Sequence, residues 1–237
     1  MKWRSLSESG AYSDVRSLRE IFAERKDLIA RYVPADVQAV HTRAVDRLKA
    51  QELAAHALTA FRAGVQAPSF ELPDHNGKLV SSASLLARGR LVLFFIRGRW
   101  CPFCVGQMEA MNFIAPAIEA AGASLVAVSP QTEKQAFFMR DQHKLAFPIL
   151  ADAHNQLARQ FGLVYRVPEE QQGLYRSTFV NLPFVNGDSS WELPIPATFV
   201  IDRDGAILFG SASEDYTDRP EPLEILSVLE GSRTRSL

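Results

Sequence analysis

The sequence predicts an α/β protein, a central sheet with a parallel core and flanking helices, preceded by a helical extension. Three observations predict it. Two continuous apolar runs, "RLVLFFI" and "ASLVAVSP", have the character of strands buried on both faces. Strand-like and helix-like segments alternate from Pro68 onward. Before that point the apolar residues recur at helical rather than strand spacing.

In the first block, "SDVRSLREIFAERKDLIARY", Val15, Leu18, Phe22, Ile29 and Tyr32 mark one helix face. Pro34 suits the first turn of a second helix, where its missing N–H would be unpaired anyway. Val37, Val40, Ala44 and Leu48 give that helix an apolar stripe. A short third helix through Leu58 and Phe61 is expected to stop at a left-handed Gly64. Residues 1–63 are therefore read as an extension that packs on the body or forms a subunit contact, with His41 and His56 solvated or capping.

The body is expected over 64–237. "SFELPDHNGKLVSSASLL" reads as two short strands about an Asn76-Gly77 turn. "RLVLFFI" follows, then a helix from about Pro102, then "ASLVAVSP". Thr132 and Gln135 have capping-box spacing for another helix. "FPILAD" and "ATFVIDRDGAILFGSA" supply further strands, the second with an Asp204-Gly205 turn, and residues 221–231 close with a helix. The stretch at about 163–194 is too long for an ordinary connection and is read as a lid or edge-covering insertion. It holds Tyr165, Tyr175, Phe179, Phe184 and Trp191.

Composition narrows the functional classes. The 237 residues carry 26 basic and 27 acidic side chains, which gives no nucleic-acid footprint. The start, "MKWRSLSESGAYSD", has no apolar stretch of signal-peptide length, and "LVLFFI" is too short to span a bilayer. A cytoplasmic location without membrane attachment is expected. In a reducing compartment a close cysteine pair points to catalysis or metal binding rather than a structural staple.

Both cysteines fall in one window, "RGRWCPFCVGQM". A buried strand delivers Cys101 to a helix start, where unpaired N–H groups and the helix dipole favour a thiolate. Such thiols reach a pKa of ~3.5–7.5. Arg97 and Arg99 either add positive potential or point into water. Cys104 follows one turn later, close enough for a disulfide within the helix's first turn. Zinc needs about four ligands, and neither a second cysteine pair nor histidines at ligand spacing accompany this one. No metal and no other cofactor are expected.

From about Gly64 to Gly231 the chain resembles the peroxiredoxin-like branch of the alkyl hydroperoxide reductase/thiol-specific antioxidant family, on the thioredoxin fold. The resemblance rests on "APSFELPDHNG", "LVLFFIRGRWCPFC", "LVAVSPQT", "FPILAD", "ARQFGLV" and "PATFVIDRDG", in that order. On that family's active-site loop Cys104 takes the peroxidatic place, with Pro102 two residues before it. Cys101 stands where a threonine is usual, Gln107 where an acid is usual, and Pro196 where an arginine is usual. Laid on thioredoxin instead, Trp100 to Cys104 matches the Trp-Cys-x-x-Cys motif, with Cys101 attacking and Cys104 resolving. Pro196 then matches the cis-proline facing the cysteines, which implies a cis Ile195–Pro196 bond, and Phe95 replaces thioredoxin's buried acid.

The resemblance implies a thiol-dependent antioxidant oxidoreductase that reduces hydroperoxides through the Cys101/Cys104 pair. An external donor of thioredoxin, glutaredoxin or glutathione type would reset it. Trp100, Pro102, Phe103, Arg99 and Pro196 would form the substrate surface. The alternatives are a thioredoxin-like reductase of protein or glutathione disulfides and a non-catalytic redox sensor. Family position names Cys104 as the peroxidatic sulfur and local electrostatics name Cys101. A homodimer stays open.

Overall fold

In a computed structural model, residues 17–178 and 180–231 are described; the expected helix face at Val15 and the insertion's Phe179 lie outside them. Helix α1 (Leu18–Tyr32) starts at Ser17 with a full capping box to Glu20. Helix α2 (Ala35–Lys49) follows directly after Pro34, and α3 (Leu53–Ala60) ends at Phe61. Gly64 is left-handed, as expected, but does not cap α3. The helix has already ended, and Gly64 instead donates to Ile207 O at 2.8 Å as the chain joins the body.

Strands β1 (Glu71–Pro73) and β2 (Leu79–Ser81) form a hairpin whose Asp74 carboxylate accepts from the Asn76 and Lys78 amides. Short α4 (Ser82–Leu86) leads into β3 (Arg90–Phe95), the "RLVLFFI" strand. Next come α5 (Pro102–Ala120), β4 (Ala123–Ser129), α6 (Glu133–Gln142), β5 (Ile149–Ala151) and α7 (Gln156–Gln160). The stretch after Leu163 is closed at its base by a two-stranded ladder of β6 (Val164–Arg166) and β7 (Glu192–Pro194). Between them lie α8 (Glu169–Ser177) and α9 (Leu182–Asn186). Finally β8 (Ala197–Ile201), β9 (Ile207–Ala212) and α10 (Pro222–Gly231) complete the chain.

The main sheet has the order β5-β4-β3-β8-β9. Strands β3, β4 and β5 are parallel, whereas β8 and β9 add antiparallel. This is a mixed α/β sheet with a parallel core, as the sequence predicts. Central β3 is buried from Leu91 through Phe95 because strands cover both its edges and helices both its faces. One apolar layer joins Val92 and Phe94 to α5, α10 and α1, including Leu18, Ile21 and Phe22. The other joins Leu91, Leu93 and Phe95 to α3, α7 and the β6–β7 region.

The expected cis bond before Pro196 is not found: the described peptides are all trans. The chain runs extended from β7 into β8 here. Ile195 N donates to Leu163 O at 2.8 Å, and Pro196 O accepts from Ser213 N at 3.2 Å. A trans link keeps both of these bonds in line with the neighbouring ladders.

The first helix meets the cysteine-bearing helix at Gly106. A Cβ there would stand 2.8 Å from both the Phe22 ring and Arg25 Nη1. Gly106→Ala should therefore overpack the α1–α5 contact, costing about 1–3 kcal/mol and lowering the melting temperature by roughly 2–10 °C. Gly173, inside α8, is open instead: a Cβ there would meet nothing within 4 Å. Gly173→Ala should stabilise by about 0.5–1 kcal/mol through the removed helix penalty of glycine. Thermal melts of both variants check the contrast.

Candidate active site

Parallel β3 ends at Phe95, and the Ile96 amide adds one more ladder bond to Val128 O at 2.9 Å. The chain then turns sharply through Gly98, whose φ of 142° suits glycine. A side chain there would meet the Trp100 indole at 2.8 Å and the Gln131 amide at 3.1 Å. Gln131 Oε1 accepts from Arg99 N at 2.7 Å, and Gly98 O accepts from Cys101 N at 3.1 Å. Cys101 is the N-cap of α5, and Pro102 takes the first helical position.

Both cysteines are reduced and 0% exposed. Although Cys101 caps the helix and Cys104 lies one turn inside it, the two are equally covered. A charge is nevertheless brought to Cys101. Arg97, only 3% exposed, donates from Nη2 to Cys101 Sγ at 3.0 Å. The guanidinium lies 4.0 Å from the Tyr216 ring centroid and 5.1 Å from that of Trp100. Desolvated cation–π contacts of this kind are worth about 2 kcal/mol. They offset part of the cost of burying the cation. Tyr165 and Tyr175 stand in the same field, and Trp100 packs edge-on against Tyr175 at 5.4 Å.

The two thiols are driven apart in acidity. Burial pushes Cys101 up, but the Cys104 thiol hydrogen bond, the Arg97 charge and hydrogen bond, and the Cys104 backbone N–H more than reverse it. Cys101 ends well below the ordinary thiol range. Burial pushes Cys104 up as well, and its hydrogen bond to Cys101 and the negative charge there push it further, against the weaker pull of Arg219 and Arg97. The directions of the two shifts make Cys101 the more acidic thiol, with the Cys104 thiol donating to it. This interaction also puts the two sulfurs within reach of each other.

Arg219 reaches the back of the pair from the segment before α10. Its Nε donates to Gln107 Oε1 at 2.9 Å and its Nη1 to Asp218 O at 2.7 Å, while buried Nη2 has no hydrogen-bond partner. Gln107 also donates to Thr198 Oγ1 at 3.4 Å. Thus Gln107, where the resembled family usually has an acid, links Arg219 to the β8 strand.

A cavity of about 580 Å³ opens beside this cluster. Arg97, Trp100, Pro102 and Phe103 form its floor; α1, α2, α8 and residues 215–217 form its walls. Of the substrate-surface residues expected from sequence, Trp100, Pro102 and Phe103 line it. Arg99 does not, since it is exposed and its Nε donates to Gln135 at 2.7 Å. Pro196 is buried at the start of β8, beside the end of β3, and does not line it either. His41 is also corrected. It is half-buried on the cavity wall, bonded through Nδ1 to Gln171 Nε2 at 3.0 Å, and burial and the Arg97 charge depress its pKa. Sequence reasoning missed Tyr165, Tyr175, Tyr216 and Arg219. The aromatic content of 163–194 was the one available signal; nothing local marks Arg219.

Comparisons with known proteins agree with this fold. The AhpC/TSA family profile matches residues 63–209. A protein of Mycobacterium tuberculosis that carries a peroxiredoxin name is 30% identical over 125 residues, 52% of this chain and 79% of its own length. A Bacillus cereus protein named thiol-disulfide oxidoreductase ResA is 23% identical over 146 residues, 61% of this chain and 66% of its own. Among solved structures, the peroxidoxin BcpB of M. tuberculosis superposes with a TM-score of 0.54 at 26% identity, covering 71% of this chain and 96% of that one. AhpC of Enterococcus faecalis shares the fold, with a TM-score of 0.58 at 18% identity over 73% of this chain and 93% of that one. The profile match over most of the chain, on a mixed sheet that presents a cysteine pair at a helix start, places the protein in the AhpC/TSA family of thiol-dependent oxidoreductases.

Proposed function

We propose that the protein reduces hydroperoxides with Cys101 as the attacking thiolate and Cys104 as the resolving thiol. The observation that carries this order is the Arg97 Nη2 to Cys101 Sγ hydrogen bond at 3.0 Å, buried beneath the cavity floor. It reverses the roles implied by family position. Attack of the Cys101 thiolate on the O–O bond gives Cys101 sulfenic acid and releases the alcohol or water. Cys104 then attacks that sulfur, water leaves, and a disulfide closes the pair. Arg97 holds the nucleophile, and Arg219 stabilises the Cys104 thiolate that must form. An external thiol resets the disulfide.

Reduction of protein disulfides is the second reading, favoured by the acidic first cysteine of a Trp-Cys-x-x-Cys motif and by the ResA-named relative. Complete burial of both sulfurs speaks against a protein disulfide reaching them. Hydroperoxide consumption and insulin reduction, followed side by side, separate the readings. Wild type should consume hydroperoxide and leave insulin intact. Cys101→Ser should lose peroxidase activity and dimedone labelling, whereas Cys104→Ser should accumulate a labelled sulfenic acid. Labelling that survives in Cys101→Ser and vanishes in Cys104→Ser would return the peroxidatic role to Cys104.

The acidity of Cys101 gives a pH test. Because its folded-state pKa is depressed, the thiolate persists above that pKa and is lost as pH falls through it. Arg97→Met removes a charge-assisted hydrogen bond of about 1.5–3 kcal/mol. Thiolate absorbance in the ultraviolet should then appear roughly one to two pH units higher. Peroxide reduction at neutral pH should fall about 10–100-fold. Arg97→Lys, which keeps the charge without the planar fork, should fall between the two.

Arg219→Met should leave Cys101 sulfenic acid formation nearly unchanged but slow disulfide closure. Mass spectrometry under repeated peroxide should then show more Cys101 sulfinic acid than in wild type.

A further inference from the structure

The N-terminal helices do more than cover the body. Ile29 of α1, Val37 and Val45 of α2, Leu174 of α8 and the Trp100 and Tyr216 rings give the cavity an apolar waist. Lys26, Lys49, Asp46 and Asp215 set charges around it. Arg97 lies in its floor, with Nη2 on Cys101 and a buried Nε that has no hydrogen-bond partner. A space of about 580 Å³ falls within the ordinary size of small-molecule sites and far exceeds a peroxide group. Cys101 lies 0% exposed behind Arg97, Trp100 and Pro102 of the floor, so the floor must shift before any thiol meets its sulfur, a smaller movement for a small molecule than for the active-site loop of a folded protein.

Oxidation changes the electrostatics of this space. In the dithiol state the Cys101 thiolate neutralises Arg97. Once the disulfide forms, that negative charge is gone and the guanidinium stays buried without a counter-ion. Uncompensated buried charge costs several kcal/mol, so the oxidised cavity favours an entering anion. With Lys26, Lys49 and Arg97 against Asp46 and Asp215, the lining itself is then net positive.

We propose that this cavity is the binding site of the resetting reductant, a low-molecular-mass monothiol bearing a carboxylate, rather than of a protein dithiol. The proposal rests on the peroxidase reading for the origin of the disulfide, but not for its reduction. The thiolate sulfur of the small molecule attacks Cys101 Sγ. A mixed disulfide forms there, and the Cys101–Cys104 bond breaks with its electron pair going to Cys104, which takes up a proton. A second thiolate attacks the small molecule's sulfur in the mixed disulfide. It releases the small-molecule disulfide and regenerates the Cys101 thiolate beside Arg97. Two thiols are oxidised and one protein disulfide is reduced.

The test uses the full chain with its disulfide preformed by diamide, so that it stands apart from peroxide turnover. Failure of a hydroperoxide to form the disulfide would count against the peroxidase reading and not against this one. Stopped-flow reduction is followed with 3-mercaptopropionate, glutathione, cysteamine and reduced thioredoxin, each rate divided by thiolate concentration. The expected result is 3-mercaptopropionate and glutathione at least tenfold faster than cysteamine and than thioredoxin. Val37→Trp, which fills the waist from α2, should slow both carboxylated thiols at least tenfold. Val180→Trp, at another lining position, serves if the first variant does not fold. Thioredoxin outpacing both carboxylated thiols, cysteamine matching them, or folded cavity-filling variants reacting at wild-type rates would each overturn the proposal.

Discussion

The structure is organised around one electrostatic constraint, a guanidinium held against a cysteine sulfur out of water. A buried charge is tolerated only when it is paired and its remaining polar atoms are accommodated. Arg97 meets that requirement with Cys101 on one side and the Tyr216 and Trp100 rings on its faces. Each of those rings must in turn be placed. Trp100 is fixed by the Gly98 turn and by Tyr175 of α8. Tyr216 is held by Phe103 at 5.6 Å and by the segment that carries it.

That segment, residues 213–221, ties the helical block to the active site. The Glu214 carboxylate accepts from Ala54 N at the start of α3 at 2.7 Å. The Glu221 carboxylate accepts from Leu18 N and Arg19 N at the start of α1, at 2.8 and 2.9 Å. Carboxylates satisfy orphan N–H groups and complement the positive end of a helix. Between these two caps the same stretch sends Tyr216 to Arg97 and Arg219 toward Cys104. From the other side, Arg25 of α1 donates to Pro102 O at the start of α5. The helices before residue 63 are thus anchored to the elements that hold the sulfurs, and they wall the cavity above them.

The departures from the family pattern become intelligible in this setting. Where an arginine is usual the chain has Pro196, and where a threonine is usual it has Cys101. Here two arginines from outside those positions serve the two sulfurs: Arg97 precedes the helix, and Arg219 comes from beyond the matched stretch of 63–209. With Phe95 in place of a buried acid, the groups that separate the two acidities are Arg97 and the Cys104 thiol.

Much of the fold was legible in the residues because its signals are local. Continuous apolar runs such as Leu91–Ile96 specify buried strands, Thr132 and Gln135 a helix start, and Asp204-Gly205 a turn. The Cys101/Cys104 window was equally legible, since strand, cap and helix lie in unbroken sequence. The wrong expectations all concerned contacts between distant segments. Gly64 was assigned to α3 because the demand of Ile207 O for a donor cannot be seen locally. Pro196 was expected cis because the bonds to Leu163 and Ser213 that align it belong to other strands. Arg97 and Arg99 looked equivalent two residues apart, yet the glycine turn between them sends one inward to sulfur and the other outward to Gln135. By itself the sequence determined an α/β sheet and a redox-competent cysteine pair at a helix start, because strand burial, helix capping and thiol spacing are properties of neighbouring residues. Only the tertiary structure set Arg97 against Cys101 and a cavity beside them. Arg97, Tyr216, Arg219 and the α1–α2 wall are brought together by the chain only on folding.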